Sequence, residues 1–159
     1  GMKIAYVEID TLLAQYNFCI DLNEGMVKKS ENVRLTLNQK ARELDKQKQD
    51  FQTKYQNNAY LSPERAQQEY NRIAKLEQDL QTLSNKLQSE LMSENEKNSL
   101  QLRDSINAFL KEYNKTKGYS MIISNTGFDN LLYADSIYNI TKEIVEGLNA
   151  RYSSPAPKK

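Results

Sequence analysis

The chain has 159 residues, with 22 Lys plus Arg against 21 Asp plus Glu, a formal charge of +1, and no histidine. Balanced charge argues against bulk nucleic-acid binding, and the missing imidazole removes His-based acid–base chemistry, Ser-His or Cys-His nucleophiles and imidazole metal sites. One cysteine makes neither an internal disulfide nor a thiolate cluster, and no apolar run reaches the ~18–20 residues of a membrane span. With 12 Gln and 16 Asn, many where a core helix would carry Leu or Ile, extended helices beside a small compact part are expected.

In chain order, β-branched and aromatic content predicts a strand over residues 3–10, and Asp10-Thr11 is placed to cap a short helix over 12–17. Between Gly25 and Gly118 there is no glycine and a single proline, Pro63. A stretch so free of helix breakers and so rich in Gln, Glu, Lys and Leu reads as long helix. Ser62, Pro63 and Glu64 read as N-cap, first helical position and favourable charge at a helix start, so one helix ends near 57–59 and another begins at Pro63. The result is an antiparallel hairpin.

The first arm spaces Val33, Leu37, Ala41, Leu44, Phe51 and Tyr55 at threes and fours, with Lys48 in one seam position. The second does the same with Ala66, Tyr70, Ile73, Leu76, Leu80, Leu83, Leu87 and Leu91. These are narrow stripes of two-stranded coiled-coil type. They thin between Ser93 and Gln101, where the arms are free to splay. At 1.5 Å per residue the second helix, Pro63 to about Lys117, is ~80 Å long.

Gly118 suits a helix C-cap. A strand follows over 119–124, then a turn at Asn125-Thr126-Gly127, a third strand over 130–135, and an amphipathic helix over 140–148. The expected class is α+β, mainly α: a small strand body from 3–20 and 118–152, a hairpin arm over 21–117 with its turn near 58–63, inserted between the first and second strands, and a disordered tail over 153–159. The first strand carries apolar side chains on both faces, Ile4 and Tyr6 on one and Ala5, Val7 and Ile9 on the other. So few helices cannot cover both, so a further copy of the chain is the expected cover.

No catalytic constellation emerges. Glu8, Asp10, Asp129 and Asp135 fall near strand ends, yet capping and turn roles account for them. There is no phosphate-binding glycine loop and no metal-ligand spacing, so no enzyme activity, cofactor or metal is expected. Cys19 is expected to be a buried structural thiol. Around the hairpin tip, residues 40–75 carry 8 basic and 5 acidic side chains, and residues 76–104 carry 3 and 6. The aromatics Phe51, Tyr55, Tyr60 and Tyr70, with Leu61, lie at a tip with little core to enter.

The layout resembles the Skp/OmpH family of periplasmic chaperones. The resemblance rests on the opening strand Lys3-Ile4-Ala5-Tyr6-Val7 with its acidic position and Leu-Leu helix. It rests also on Tyr119-Ser120-Met121-Ile122-Ile123-Ser124, on Leu132-Tyr133-Ala134-Asp135, and on Asn139-Ile140-Thr141-Lys142-Glu143-Ile144-Val145. The last run is similar to the family's closing D-I-T-x-x-V helix, with Asn139 where Asp is common. The resemblance implies a homotrimer with a shared strand body and projecting hairpins. It also implies a periplasmic location after removal of a signal segment, and an ATP-independent holdase that keeps unfolded outer-membrane proteins from aggregating.

On that reading the client-binding residues are Phe51, Tyr55, Tyr60, Leu61, Tyr70, Lys46, Lys48, Lys54 and Arg65. The assembly residues are Ile4, Tyr6, Val7, Met121, Ile123, Leu132 and Tyr133. Better-known members are strongly basic, whereas the pI here is about 7.9, so membrane-surface contact is a weaker expectation. The rival function is a structural coiled-coil adaptor or spacer docking onto one folded partner.

Overall fold

The computed structural model describes residues 1–127 and 130–153. The element order is β1 (Ile4–Glu8), α1 (Ile9–Gln15), α2 (Asn17–Gln56), α3 (Pro63–Lys117), β2 (Met121–Asn125), a 3-10 turn (Ser136–Tyr138) and α4 (Thr141–Ser153). The architecture is α+β and mainly α. The chain divides into two compact units, one of residues 1–25 with 96–159 and one of residues 26–95. The boundary on α3 therefore falls well before 117, within the stretch where the apolar stripe thins. The last turns of α3 belong to the first unit because Leu102, Ile106, Phe109, Leu110 and Tyr113 pack on its core.

In that unit β1 and β2 pair in parallel, with Ile4 opposite Met121 and Tyr6 opposite Ile123. Alternation then sorts the side chains into two faces. Ala5, Val7 and Ile122 face a core closed by Leu12, Tyr16, Cys19, Ile140, Ile144, Val145 and Leu148. Leu12, Ile144 and Leu148 are fully buried, each contributing about 1.5–3 kcal/mol of transfer free energy. Cys19 is buried, its Sγ accepting from Asn23 Nδ2 at 3.7 Å, and burial pushes its thiol above the ordinary range.

Three expectations for this unit need correction. Helix α1 starts at Ile9, ahead of the Asp10-Thr11 cap; Glu8 holds the cap position without a capping bond from its side chain, and Asp10 lies inside the first turn. Residues 130–135 do not form a third strand. Asp135 instead accepts from Ile137 N at 3.1 Å and starts the 3-10 turn. Further along, Ile140 N–H donates to Tyr6 O at 3.0 Å in a parallel bridge of Asn139 with Tyr6, and Glu8 N donates to Thr141 Oγ1 at 2.8 Å. Ser153, expected in the tail, is the last residue of α4; residues 154–159 lie outside the described residues.

Asn139 then starts α4: its Oδ1 accepts from Thr141 N at 3.0 Å and from Thr141 Oγ1 at 2.6 Å. The closing helix needs an acceptor at this position, which an amide supplies as a carboxylate would. Near the other end of α4, Asn149 clasps the break between α1 and α2. Its Oδ1 accepts from Asn17 N and its Nδ2 donates to Gln15 O, at 2.8 and 2.9 Å.

In the second unit the hairpin turn follows local chemistry. Asn58 takes φ 52°, Ala59 N–H donates to Lys54 O at 2.9 Å and Asn58 N–H to Tyr55 O at 3.2 Å, a Schellman arrangement with asparagine at the left-handed position. Ser62 Oγ then accepts from Arg65 N at 3.2 Å, capping α3 ahead of Pro63 and Glu64. At the far end of α3, Gly118 takes φ 69° and donates to Asn114 O at 3.0 Å.

Candidate functional site

Two surfaces stand out, one in each unit. At the hairpin tip, Phe51 lies at the centre of a ring group, with centroids 5.9 Å from Tyr55, 5.7 Å from Tyr60 and 6.1 Å from Tyr70. Ala66 and Ile73 are buried, while Tyr55 and Tyr70 stay exposed and Leu61 is 93% exposed. The four aromatics expected to bind clients are thus brought together, with Leu61 standing free of them. A narrow two-helix seam leaves these apolar groups of the tip without cover.

The expected basic residues behave differently from one another. Lys54 and Arg65 line a recess with Tyr60, Leu61 and Arg72. Arg72 forks onto Glu69, which holds that carboxyl below its usual range, and burial followed by Glu69 raises the Tyr60 hydroxyl. Lys48 is tied across the hairpin to Glu77 at 2.8 Å, and Lys46 is exposed on α2.

The second surface is the sheet face turned away from the core. Ile4, Tyr6, Met121 and Ile123 share it, and a groove of about 220 Å³ runs over it between Met2, Tyr6, Ile123, Leu131 and Tyr138. Beside it Leu132 and Tyr133 are 78% and 86% exposed. Of the expected assembly residues, six are on or beside this face. Val7 is not: it points the other way and is buried in the core. At the rim, Asn125 Nδ2 donates to both Glu8 carboxylate oxygens at 3.1 Å.

The four carboxylates near strand ends do not assemble. Glu8 is held by Asn125, Asp10 sits in α1, Asp135 starts the 3-10 turn, and Asp129 lies outside the described residues. Among the described residues no group of three or more acidic or cysteine side chains could hold a metal, and no helix is long and apolar enough to cross a membrane. Sequence reasoning missed two features. One is the cluster of Lys3, Lys117 and Glu143 about Tyr113 and Tyr119, where burial, then Glu143, holds the Tyr113 hydroxyl far above the phenol range. The other is Gln47 in the hairpin seam, one position from the predicted stripe.

Together these features define an α+β protein with a long helical hairpin, with apolar groups exposed at the hairpin tip, along the helices at Val27, Leu35, Met92 and Leu100, and on or beside one face of a two-stranded parallel sheet. The family model described as outer membrane protein (OmpH-like) matches residues 3–148, and the chain belongs to that family. A solved structure described as a candidate OmpH-like outer membrane chaperone from Caulobacter crescentus has a similar fold. Its TM-score is 0.84 at 12% identity, over 100% of this chain and 90% of that one. Among curated proteins none matches the sequence significantly.

Proposed function

We propose that the chain is a chaperone for outer-membrane proteins in the bacterial periplasm, and more narrowly an ATP-independent holdase that prevents their aggregation while they are unfolded. Membership of the OmpH-like family supports the general reading. The single observation that supports the finer one is the tip ring group, where Tyr55, Tyr70 and Leu61 stay in water on an arm whose described residues bring together no catalytic constellation. Several weak, non-directional contacts of this kind shield an unfolded chain without trapping it.

The working form on this reading is a homotrimer, with Ile4, Met121, Ile123, Leu132 and Tyr133 covered by neighbouring copies. Met121, Leu132 and Tyr133 are exposed and Ile4 and Ile123 half-buried, while Tyr6 is already buried within one chain, so those five are the apolar groups left for a neighbouring copy to cover.

The test is light scattering as an unfolded outer-membrane β-barrel protein is diluted from urea, with and without this protein and without ATP. The expected result is suppression near one trimer per client. An intact oligomer with no suppression would refute the holdase and leave the adaptor as the better reading.

A further inference from the structure

The seam of the hairpin has a gap in its middle. Leu44 and Gln47 of α2 and Leu76, Leu80 and Leu83 of α3 line a groove of about 310 Å³, with Asp79 at its rim. A two-stranded seam is filled by apolar side chains at such a level, and Gln47 stands where Leu or Ile would close the layer. Its Oε1 is enclosed by protein and has no hydrogen-bond partner. An acceptor sealed away from both water and donors disfavours the closed seam at that level, because opening rehydrates it.

The gap is bracketed by two ion pairs that cross from α2 to α3. Lys48 meets Glu77 at 2.8 Å on the tip side, and Lys29 meets Glu94 at 2.7 Å on the base side. Beyond the tip-side pair Ile73 and Ala66 are buried near the ring group about Phe51, and a second groove of about 470 Å³ opens among Phe51, Tyr55, Ala66 and Tyr70, with no enclosed unpartnered acceptor among them. The enclosed acceptor, and not the groove alone, sets the Gln47 level apart, and a level that gains by rehydration is where local opening costs least.

We propose that this level is a yielding point, at which α2 and α3 part between the two ion pairs and uncover Leu44, Leu80 and Leu83, with Leu76 at the edge beside the Lys48–Glu77 pair, as an apolar strip for an unfolded chain. The opening follows from the enclosed Gln47 amide and the unfilled groove. The strip's use rests on the chaperone reading.

The opening is tested without any client. Leu44 and Ile73 are nearly equally buried, at 8% and 6% exposed, and both belong to the hairpin unit. In a Cys19→Ala background, Leu44→Cys and Ile73→Cys would react alike with an aromatic disulfide reagent if burial alone governed access. The yielding point instead requires Leu44→Cys to react about tenfold or more faster, and adding Gln47→Leu to slow it by about tenfold while leaving Ile73→Cys unchanged. Equal rates in both backgrounds would overturn the proposal.

Gln47→Leu alone, which needs no introduced thiol, should raise Tm; a fall would mean that the amide holds the seam together, and would overturn it too. In the light-scattering assay, Gln47→Leu should need severalfold more protein for the same suppression. Unchanged protection with slowed labelling would refute the apolar strip. Failure of the unsubstituted protein to suppress at all would strike the chaperone reading, leaving the labelling result to stand.

Discussion

Replacing Gly147 by alanine tests how closely α4 lies against the last turns of α3. A Cβ built at Gly147 would sit 2.3 Å from Phe109 Cζ and 2.8 Å from Cε2. Ordinary carbon contacts need about 3.5 Å, so the ring must recede by roughly 1.2 Å. It has little room, since Phe109 stacks on Tyr113 with centroids 5.8 Å apart and packs on the core. Overpacking of this kind costs about 1–3 kcal/mol, while removing a glycine from a helix interior returns about 1 kcal/mol. The net expectation is a loss of about 1 kcal/mol, or ~2–4 °C in Tm for a chain of this size.

Gly25 supplies the matched control. It lies inside α2 with nothing within 4 Å of a built Cβ, so Gly25→Ala should stabilise by about 1 kcal/mol. In a Phe109→Ala background the obstacle is gone, and Gly147→Ala should change sign and stabilise by a similar amount. Urea melts followed by far-UV circular dichroism decide this, at one fixed protein concentration because the proposed assembly would link stability to concentration. If Gly147→Ala stabilises the unsubstituted protein as much as Gly25→Ala does, the close approach of Phe109 is wrong.

Ile123→Asp, on the open sheet face, should reduce the native mass to that of a monomer with helicity retained, whereas Val7→Asp should lose the fold by burying a charge in the core. An unchanged mass for Ile123→Asp would refute the open face as an assembly surface. Glu31, Glu69, Glu112 and Glu143 are held below the usual carboxylate range by hydrogen bonds from Arg34, Arg72, Lys115 and Lys117. Folded values below unfolded ones mean that their stabilisation is complete above the unfolded value of about 4.3 and is lost as pH falls through the folded values. Being largely exposed, they should give only a shallow decline in Tm below about pH 4, and with no histidine a step near pH 6.5 would contradict this account.

What the sequence determined by itself was local. The hairpin turn is settled by Asn58, which tolerates a left-handed conformation, and by Ser62 and Pro63, which start α3 within a few residues. The end of α3 is settled by Gly118 in the same way, and the placement of the tip aromatics follows from helical spacing once the turn is known. Each depends on groups three to five positions apart, whose bonds form whatever the rest of the chain does.

The tertiary structure decided everything that required distant partners. Alternation showed that Tyr6 and Val7 face opposite ways, but only the tertiary packing put Val7 in the core under α1 and α4 and buried Tyr6 on the opposite face, where its strand is bridged by Asn139. Residues 130–135 have strand-forming side chains, yet they join neither strand of the sheet, and Asp135 starts the 3-10 turn by accepting from Ile137 N. Gln47 looked like one surface amide among many until α3 enclosed its oxygen, and Gly147 like any helix glycine until Phe109 came within contact of it. Short-range hydrogen bonds are written in neighbouring residues, whereas which faces meet depends on how helices far apart in the chain pack, and no local pattern carries that.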